Sequence, residues 1–245
     1  MINNMERIIL IIPAFNESAK IPNVISKVRK ACSGFLETIL VIDDHSSDDT
    51  FQVARNAGAE AIRHDKNLGV GAAIRTGLDY AYNNGYDIAV IISGDDQHNP
   101  EEMESVLLPL LNKEADFVQG SRFAKGGKTI NQTVIRRLMT SLYPFLFFLM
   151  TGKKCSDITN GFRAFYVKKV YEDKNIDLHQ DWLNRYELEV YLLYKVLTSE
   201  HYRTKEVPIT ILYHKNREER TKMRPFVDWW RIFRPMIYLK LKIKK

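Results

Sequence analysis

Short apolar runs alternate with amphipathic stretches through the first half of the chain. Ile8 to Ile12, Thr38 to Ile42, Ile88 to Ile92 and Phe117 to Gln119 read as buried strands, each closed by polar or acidic residues. Between the first two, Ile21, Val24, Ile25, Val28 and Cys32 recur at helical spacing, with Pro22 near the start, where its fixed φ suits a first turn. Asp48 or Asp49 is placed to cap a helix over Thr50 to Ala57. Repeated βαβ of this kind predicts an α/β fold with a mostly parallel central sheet and helices on both faces. In such sheets ligands bind beyond the carboxyl ends of the strands. The polar clusters fall there: Pro13-Ala14-Phe15-Asn16-Glu17, Asp43-Asp44-His45-Ser46-Ser47 and Ser93-Gly94-Asp95-Asp96-Gln97-His98. From about Gly120 the pattern loosens. Gly126 and Gly127 mark a loop, Val134 to Met150 predicts one helix and Tyr186 to Leu197 a second.

Composition narrows the class. The 245 residues are 45% hydrophobic and 27% charged, which excludes a disordered, collagenous or disulfide-scaffold protein and suits one α/β domain. Cys32 and Cys155 are too few and too far apart for a disulfide framework or a thiolate metal site, and a reducing, cytoplasmic setting fits them. The polar start, Met1 to Arg7, carries no signal-peptide pattern. The longest apolar tract, Leu138 to Met150, is 13 residues with Thr140, Ser141 and Pro144 inside it, short of the roughly 20 that cross a bilayer. Charge is uneven. Lys215 to Lys245 holds 11 basic and 3 acidic residues, which places most of the formal charge of +6 at the carboxyl end. The expected organisation is a body over 1–224 followed by a basic, aromatic helix over 225–245.

Several constellations carry chemistry. Asp43 and Asp44 leave a buried strand at a sheet edge, where a helix cap or solvated turn is the plainer role. Asp95, Asp96, Gln97 and His98 form a second oxygen-rich cluster, of the kind that suits Mg²⁺ or Mn²⁺ on a diphosphate; an acidic turn capping the helix near Pro100 is the alternative. Two such clusters at the ends of separate strands favour one shared site. Asn67-Leu68-Gly69-Val70-Gly71 opens a helix whose glycines permit close backbone approach to a ligand, or tight helix packing. It lacks the third glycine of the dinucleotide fingerprint and does not follow the first strand, so a Rossmann dehydrogenase is not supported.

In their order and spacing these segments resemble family 2 glycosyltransferases of the GT-A fold, and within them the polyprenyl-phosphate branch that includes dolichyl-phosphate-mannose synthases. The resemblance runs from Ile8 to about Lys222. It rests on Ile12 to Glu17, Val41 to Asp48, Asn67 to Gly71, Gly94 to Pro100, Gly120-Ser121-Arg122-Phe123, Thr159-Asn160-Gly161-Phe162-Arg163 and Glu206-Val207-Pro208-Ile209. It implies that Pro13, Ala14, Asn16, Glu17, Asp43, Asp44, Gly69 and Gly71 line the nucleotide-sugar pocket. It also implies that Asp95 and Gln97 hold the metal on the donor diphosphate. The chain departs from the family at Ser93, where the first carboxylate of Asp-x-Asp is absent. Asp96 is the candidate substitute, and loss of turnover in a nucleotide-sugar-binding subunit is the alternative.

The expected reaction is inverting transfer of a hexose from a UDP- or GDP-sugar to polyprenyl phosphate, the divalent cation neutralising the leaving diphosphate. An acceptor hydroxyl on a glycan needs a general base, whereas an acceptor phosphate is already an anion and needs cations. Arg122 and Arg163 in the matched motifs, and Lys215, Arg217, Arg220, Lys222 and Arg224 in one loop, are candidates for holding it, against a merely solvated basic surface for part of that loop. Asp157, Glu187 and Glu189 are the base candidates for a hydroxyl acceptor, with a loop cap and exposed helix faces as their plainer roles. The tail interleaves Trp229, Trp230, Phe233 and Tyr238 with Arg231, Arg234 and Lys240, which suits a helix in the membrane interface or one packed on the core. Expected partners are thus the donor, the lipid or glycan acceptor, a membrane surface and a membrane protein or second copy. No nucleic-acid motif accompanies the basic residues.

Overall fold

The computed structural model describes residues 6–213 and 227–244. Seven strands form one sheet in the order β3-β2-β1-β4-β7-β5-β8: β1 (Ile8–Ala14), β2 (Thr38–Asp43), β3 (Glu60–Arg63), β4 (Ile88–Ile91), β5 (Phe117–Ser121), β7 (Arg163–Tyr166) and β8 (Thr204–Pro208). All neighbours are parallel except β7, which runs antiparallel between β4 and β5. A two-stranded parallel sheet of β6 (Lys128–Ile130) and β9 (Thr210–Leu212) stands apart from it. The four strands expected from apolar runs are present. β3, β7 and β8 were not expected, because Glu60-Ala61-Ile62-Arg63 and Thr204-Lys205-Glu206-Val207-Pro208 are edge strands with little apolar content.

Helices cover both faces. α1 (Ile21–Cys32) and α4 (Met103–Leu111) pack on one face with Ile8, Leu10, Ile12, Val41, Val90 and Val118. α3 (Val70–Asn83), α5 (Val134–Thr151) and α7 (Glu187–Thr198) pack on the other, which buries Ile9, Ile11, Leu40, Ala89, Phe117 and Phe165. Alternate residues of β1 serve opposite layers, so a strand fully buried on both sides reads as an unbroken apolar run. α2 (Thr50–Asn56) and α6 (Val167–Tyr171) are short connectors.

The carboxyl-terminal helix α8 (Val227–Lys240) docks on the body of the fold. It packs against α7 and α5, with Met236 fully buried and Ile232 and Leu239 nearly so, in the same cluster as α3 and α7. Arg234 pairs with the buried Glu187, and Arg231 bonds Asp228 at 2.8 Å. The aromatic-basic mixture therefore divides between core and surface: Trp182 meets Tyr238 edge-on at 5.7 Å, while Trp230 stays half exposed.

Gly77 sits where α3 crosses β1, and a Cβ there would run into the Ile11 side chain. Gly77→Ala is expected to cost about 1–3 kcal/mol through overpacking, read as a lower urea midpoint with an unchanged m-value.

Candidate active site

The loops after β1, β2 and β4 meet at the carboxyl edge of the sheet, as expected, and there they wall a cavity of about 440 Å³. The first two are stitched together. Asn16 takes the left-handed conformation (φ 53°), which asparagine tolerates, and its Oδ1 accepts from the Ser47 amide at 2.7 Å while its own amide donates to Ser46 Oγ at 2.8 Å. Pro13, Ala14 and Glu17 line the cavity. Asn16 does not; it holds the wall from behind.

Asp43 and Asp44 have opposite fates. Asp43 is fully buried, accepts from the Ser46 amide and hydroxyl, faces Arg63 Nε at 3.4 Å and does not reach the cavity. Its expected place in the pocket wall is corrected to that of a brace beneath it. Asp44 does line the cavity. Its Oδ1 accepts from His64 Nδ1 and the Leu68 amide, both at 2.8 Å, and its Oδ2 from the Gly69 amide at 2.7 Å. Gly69, at φ 106°, adopts a conformation open to glycine, and it too lines the cavity. Gly71 does not face the cavity. A Cβ there would strike the Leu183 and Arg185 carbonyls, so its role is close helix packing against the 183–185 backbone, where the Ala72 amide bonds Asn184 O at 2.9 Å.

Beyond β4, Ser93, Asp95, Gln97 and His98 line the cavity. Asp96 turns away in a left-handed conformation (φ 59°), and its carboxylate is taken by Asn23 Nδ2 and Lys27 Nζ, both at 2.8 Å. The expectation that Asp96 replaces the missing first carboxylate is therefore corrected. His98 is buried. Its Nδ1 accepts from the Ser93 amide at 3.1 Å, so Nε2 carries the proton and donates to Asn160 Oδ1 at 3.0 Å. Burial lowers its pKa, which keeps the ring neutral and ties the Asp95 loop to the Thr159-Asn160-Gly161 loop.

No trio of His, Cys, Asp or Glu poised to grip a metal exists among the described residues. The donor set nevertheless fits a cation carried mainly by a diphosphate, since Mg²⁺ in such sites takes one or two carboxylates plus phosphate oxygens. Asp95 supplies the carboxylate and Gln97 a neutral amide oxygen, both on the cavity wall.

The expected basic residues separate as well. Arg122 is 6% exposed and grips the fully buried Asp157 in a fork, Nη2 to Oδ1 at 2.6 Å and Nε to Oδ2 at 2.7 Å. It also bonds Thr159 and the Tyr213 hydroxyl. Burial works against its charge, but the Asp157 carboxylate outweighs burial and its pKa is raised. Asp157 is consequently a counter-ion, a correction to its place among candidate bases. Arg163 is 1% exposed and bonds Asn160 O at 2.6 Å and Glu189 O at 2.9 Å, with Glu189 Oε1 at 3.4 Å. It cannot reach an acceptor and is corrected to a strut. Glu189 faces the cavity with its pKa raised by burial against the pull of Arg163, whereas Glu187 is buried on Arg234. Lys215, Arg217, Arg220, Lys222 and Arg224 lie outside the described residues.

Sequence reasoning missed Arg136, Arg185 and Asp228, which also line the cavity. Arg136, in the first turn of α5, lies over the Tyr213 ring at 4.4 Å and has no acidic partner among the described residues. Its signal was a basic pair, Arg136-Arg137, at the start of an otherwise apolar helix.

The description "Glycosyl transferase family 2" belongs to the family model that matches residues 9–173. The undecaprenyl-phosphate mannosyltransferase of Micrococcus luteus is 31% identical over 214 residues, spanning 84% of this chain and 84% of that protein. The polyprenol monophosphomannose synthase of Mycolicibacterium smegmatis is 33% identical over 213 residues, spanning 84% and 77%. The glucosyl-3-phosphoglycerate synthase of Mycobacterium tuberculosis, solved with Mn²⁺, UDP-glucose and phosphoglyceric acid, is similar in structure with a TM-score of 0.73 at 20% identity, over 98% of this chain and 82% of that one. The last likeness establishes the shared GT-A architecture alone.

Removing one member of the buried Arg122–Asp157 pair strands a charge. Asp157→Ala is expected to lower stability by about 3–5 kcal/mol in urea unfolding, with the double change Arg122→Met, Asp157→Leu recovering most of that loss.

Proposed function

The chain belongs to glycosyltransferase family 2, and on that premise we propose that it transfers a hexose, with inversion, from a nucleotide sugar to a polyprenyl phosphate at a membrane surface. One observation carries the acceptor. Of the three base candidates, Asp157 and Glu187 are locked in ion pairs and Glu189, on the cavity wall, faces Arg163 at 3.4 Å, while Arg136, a cation without an acidic partner among the described residues, lines the same wall. A site whose three base candidates are all engaged with arginines, and whose wall offers positive charge, suits an acceptor that is already an anion. Transfer to a glycan hydroxyl would need a base, and Arg122 and Arg234 take Asp157 and Glu187 out of use, which leaves Glu189 beside the buried Arg163.

The nucleotide occupies the wall formed by Pro13, Ala14, Glu17, Asp44 and Gly69. Asp95 and Gln97 would hold a divalent cation, Mg²⁺ or Mn²⁺, which supplies Lewis-acid neutralisation of the departing diphosphate. Arg122 keeps the rim of the cavity rigid through Asp157, Thr159 and Tyr213, and Arg136, stacked on the same tyrosine, meets the acceptor phosphate.

The helix that carries Arg136 supports the membrane reading. Val134, Leu138, Phe145 and Leu149 are 84%, 69%, 58% and 62% exposed, and at 100° per residue they fall on one stripe of α5. Val227 and Trp230 of α8 add exposed apolar area. No helix among the described residues is long and apolar enough to cross a bilayer. An exposed apolar stripe of this size on a helix suits lying in the interface plane. The cytoplasmic leaflet is the face proposed, in keeping with the free thiols of Cys32 and Cys155.

Incubation with undecaprenyl or dolichyl phosphate, Mg²⁺ or Mn²⁺ and labelled UDP- and GDP-sugars is expected to give metal-dependent label in the organic phase. Donor consumption without lipid label would overturn the acceptor assignment. Arg136→Ala is expected to raise KM for the lipid phosphate about 10- to 100-fold, the worth of one charge-assisted bond, with donor KM unchanged. In sedimentation with anionic liposomes, Leu138→Glu with Phe145→Glu is expected to move the protein from pellet to supernatant while leaving its turnover of detergent-dispersed acceptor intact.

A further inference from the structure

Asp44 lines the cavity, yet it is almost wholly spoken for. Its side chain is 5% exposed, and three protein donors already sit on it: His64 Nδ1 and the Leu68 amide on Oδ1, the Gly69 amide on Oδ2. An ionised carboxylate offers about four acceptor positions, two on each oxygen. Oδ1 is full. One position is left, on Oδ2.

From this count we infer that the donor nucleotide is a uridine diphosphate and that His64 enforces the choice. The inference rests on the nucleotide wall assigned above and names which base it takes. Uracil presents one N–H on its recognition edge, the N3 imide, between two carbonyl oxygens, and a single acceptor satisfies it. Guanine presents N1–H and N2–H side by side, a pair that a carboxylate meets with both oxygens. With Oδ1 occupied, one guanine donor would be buried unpaired, a loss of about 10- to 100-fold in affinity. Adenine and cytosine place an unprotonated ring nitrogen beside their amino donor, so a lone pair would face the carboxylate. Asn67 adds a contact to the base without choosing between uracil and guanine. Its amide nitrogen gives one hydrogen to Asp44 O at 3.1 Å and has a second to offer the carbonyl beside the ring N–H from the cavity wall.

His64 is the device that fills Oδ1. Its side chain is 8% exposed and it is fixed from both ends: Nδ1 on Asp44 at 2.8 Å and Nε2 on Thr76 Oγ1 at 2.9 Å. With Nδ1 donating to the carboxylate and Nε2 bonded to the threonine hydroxyl, the ring is held in one orientation. The imidazole lies behind the carboxylate as a positioning residue, and its effect on the nucleotide passes through Asp44.

Calorimetric titration of the full-length protein with UDP, GDP and N3-methyl-UDP, each with Mn²⁺, tests the assignment without turnover. UDP is expected to bind at least about tenfold tighter than either of the others, because methylation removes the only N–H that Asp44 can accept. GDP binding as tightly as UDP, N3-methyl-UDP binding undiminished, or no UDP binding at all would overturn it. His64→Leu vacates one position on Oδ1 and is expected to narrow the UDP-to-GDP ratio about tenfold. A purely structural role would weaken both nucleotides alike and leave the ratio unmoved. Lipid labelling from a GDP-sugar with this preference absent would sink the base assignment and leave the acceptor reading standing. UDP selectivity without lipid labelling would do the reverse.

Discussion

The ion pair between Arg122 and Asp157 is the joint on which the cavity depends. It closes over 35 residues of sequence, ties the end of β5 to the loop before β7, and does so where water is excluded, since Asp157 is fully buried and Arg122 nearly so. Two charges in that setting are tolerable because their bonding is dense: a fork between them, a backbone amide of Arg122 on Oδ2, and Thr159 and Tyr213 on two further guanidinium hydrogens. Tyr213 then passes the constraint on, its ring carrying Arg136. The loop from Asp157 to Gly161 also positions Asn160, whose Oδ1 accepts the hydrogen bond from His98 Nε2 and so fixes the Asp95 turn. One buried pair thereby aligns the Asp95 turn, the basic rim and the first turn of α5.

Much of this was legible in the chain because burial on both faces of a parallel sheet writes itself as uninterrupted apolar runs, and the polar residues ending those runs must gather at one edge. The βαβ order, the four central strands and the convergence of Pro13, Asp44 and Asp95 follow from that alone. What the chain did not reveal is direction. Asp95 and Asp96 are adjacent and chemically equal, yet a left-handed turn at Asp96 sends one to the cavity and the other to Lys27. Asp43 and Asp44 differ in the same way, because consecutive residues leaving a strand point to opposite sides. Arg163 sits in a motif as suggestive as that of Arg122, but β7 carries it into the interior, where backbone carbonyls and Glu189 satisfy it. The antiparallel insertion of β7 and the docking of α8 are long-range events, and neither leaves a local periodicity to read.

α8 shows how the carboxyl end serves two environments at once. Its 3.6-residue repeat turns Ile232, Met236 and Leu239 to the core and places Asp228 and Ile232 on the cavity wall, while Trp230 faces outward. The buried Glu187 binds Arg234 and stands near Arg231, so the helix is held by charge as well as by apolar contact. A basic, aromatic composition alone cannot separate a surface helix from a packed one; the separation comes from which side meets an existing hydrophobic layer.

On the proposed membrane docking, the geometry of α5 would link the lipid surface to the cavity without a conformational change. One stripe of the helix is apolar and open, and its first turn delivers Arg136 to the cavity rim. A phosphate anchored by a long hydrocarbon chain lies at the interface plane, with its tail in lipid and its charge at the water boundary. A helix lying in that plane therefore presents its cation at the depth where such a phosphate is found. The acceptor does not have to be drawn out of the bilayer into a deep pocket, a step that would expose its hydrocarbon at about 0.8 kcal/mol per CH₂. In the proposed docking the site comes down to the acceptor instead, and the rigid joint at Arg122 sets where that site is.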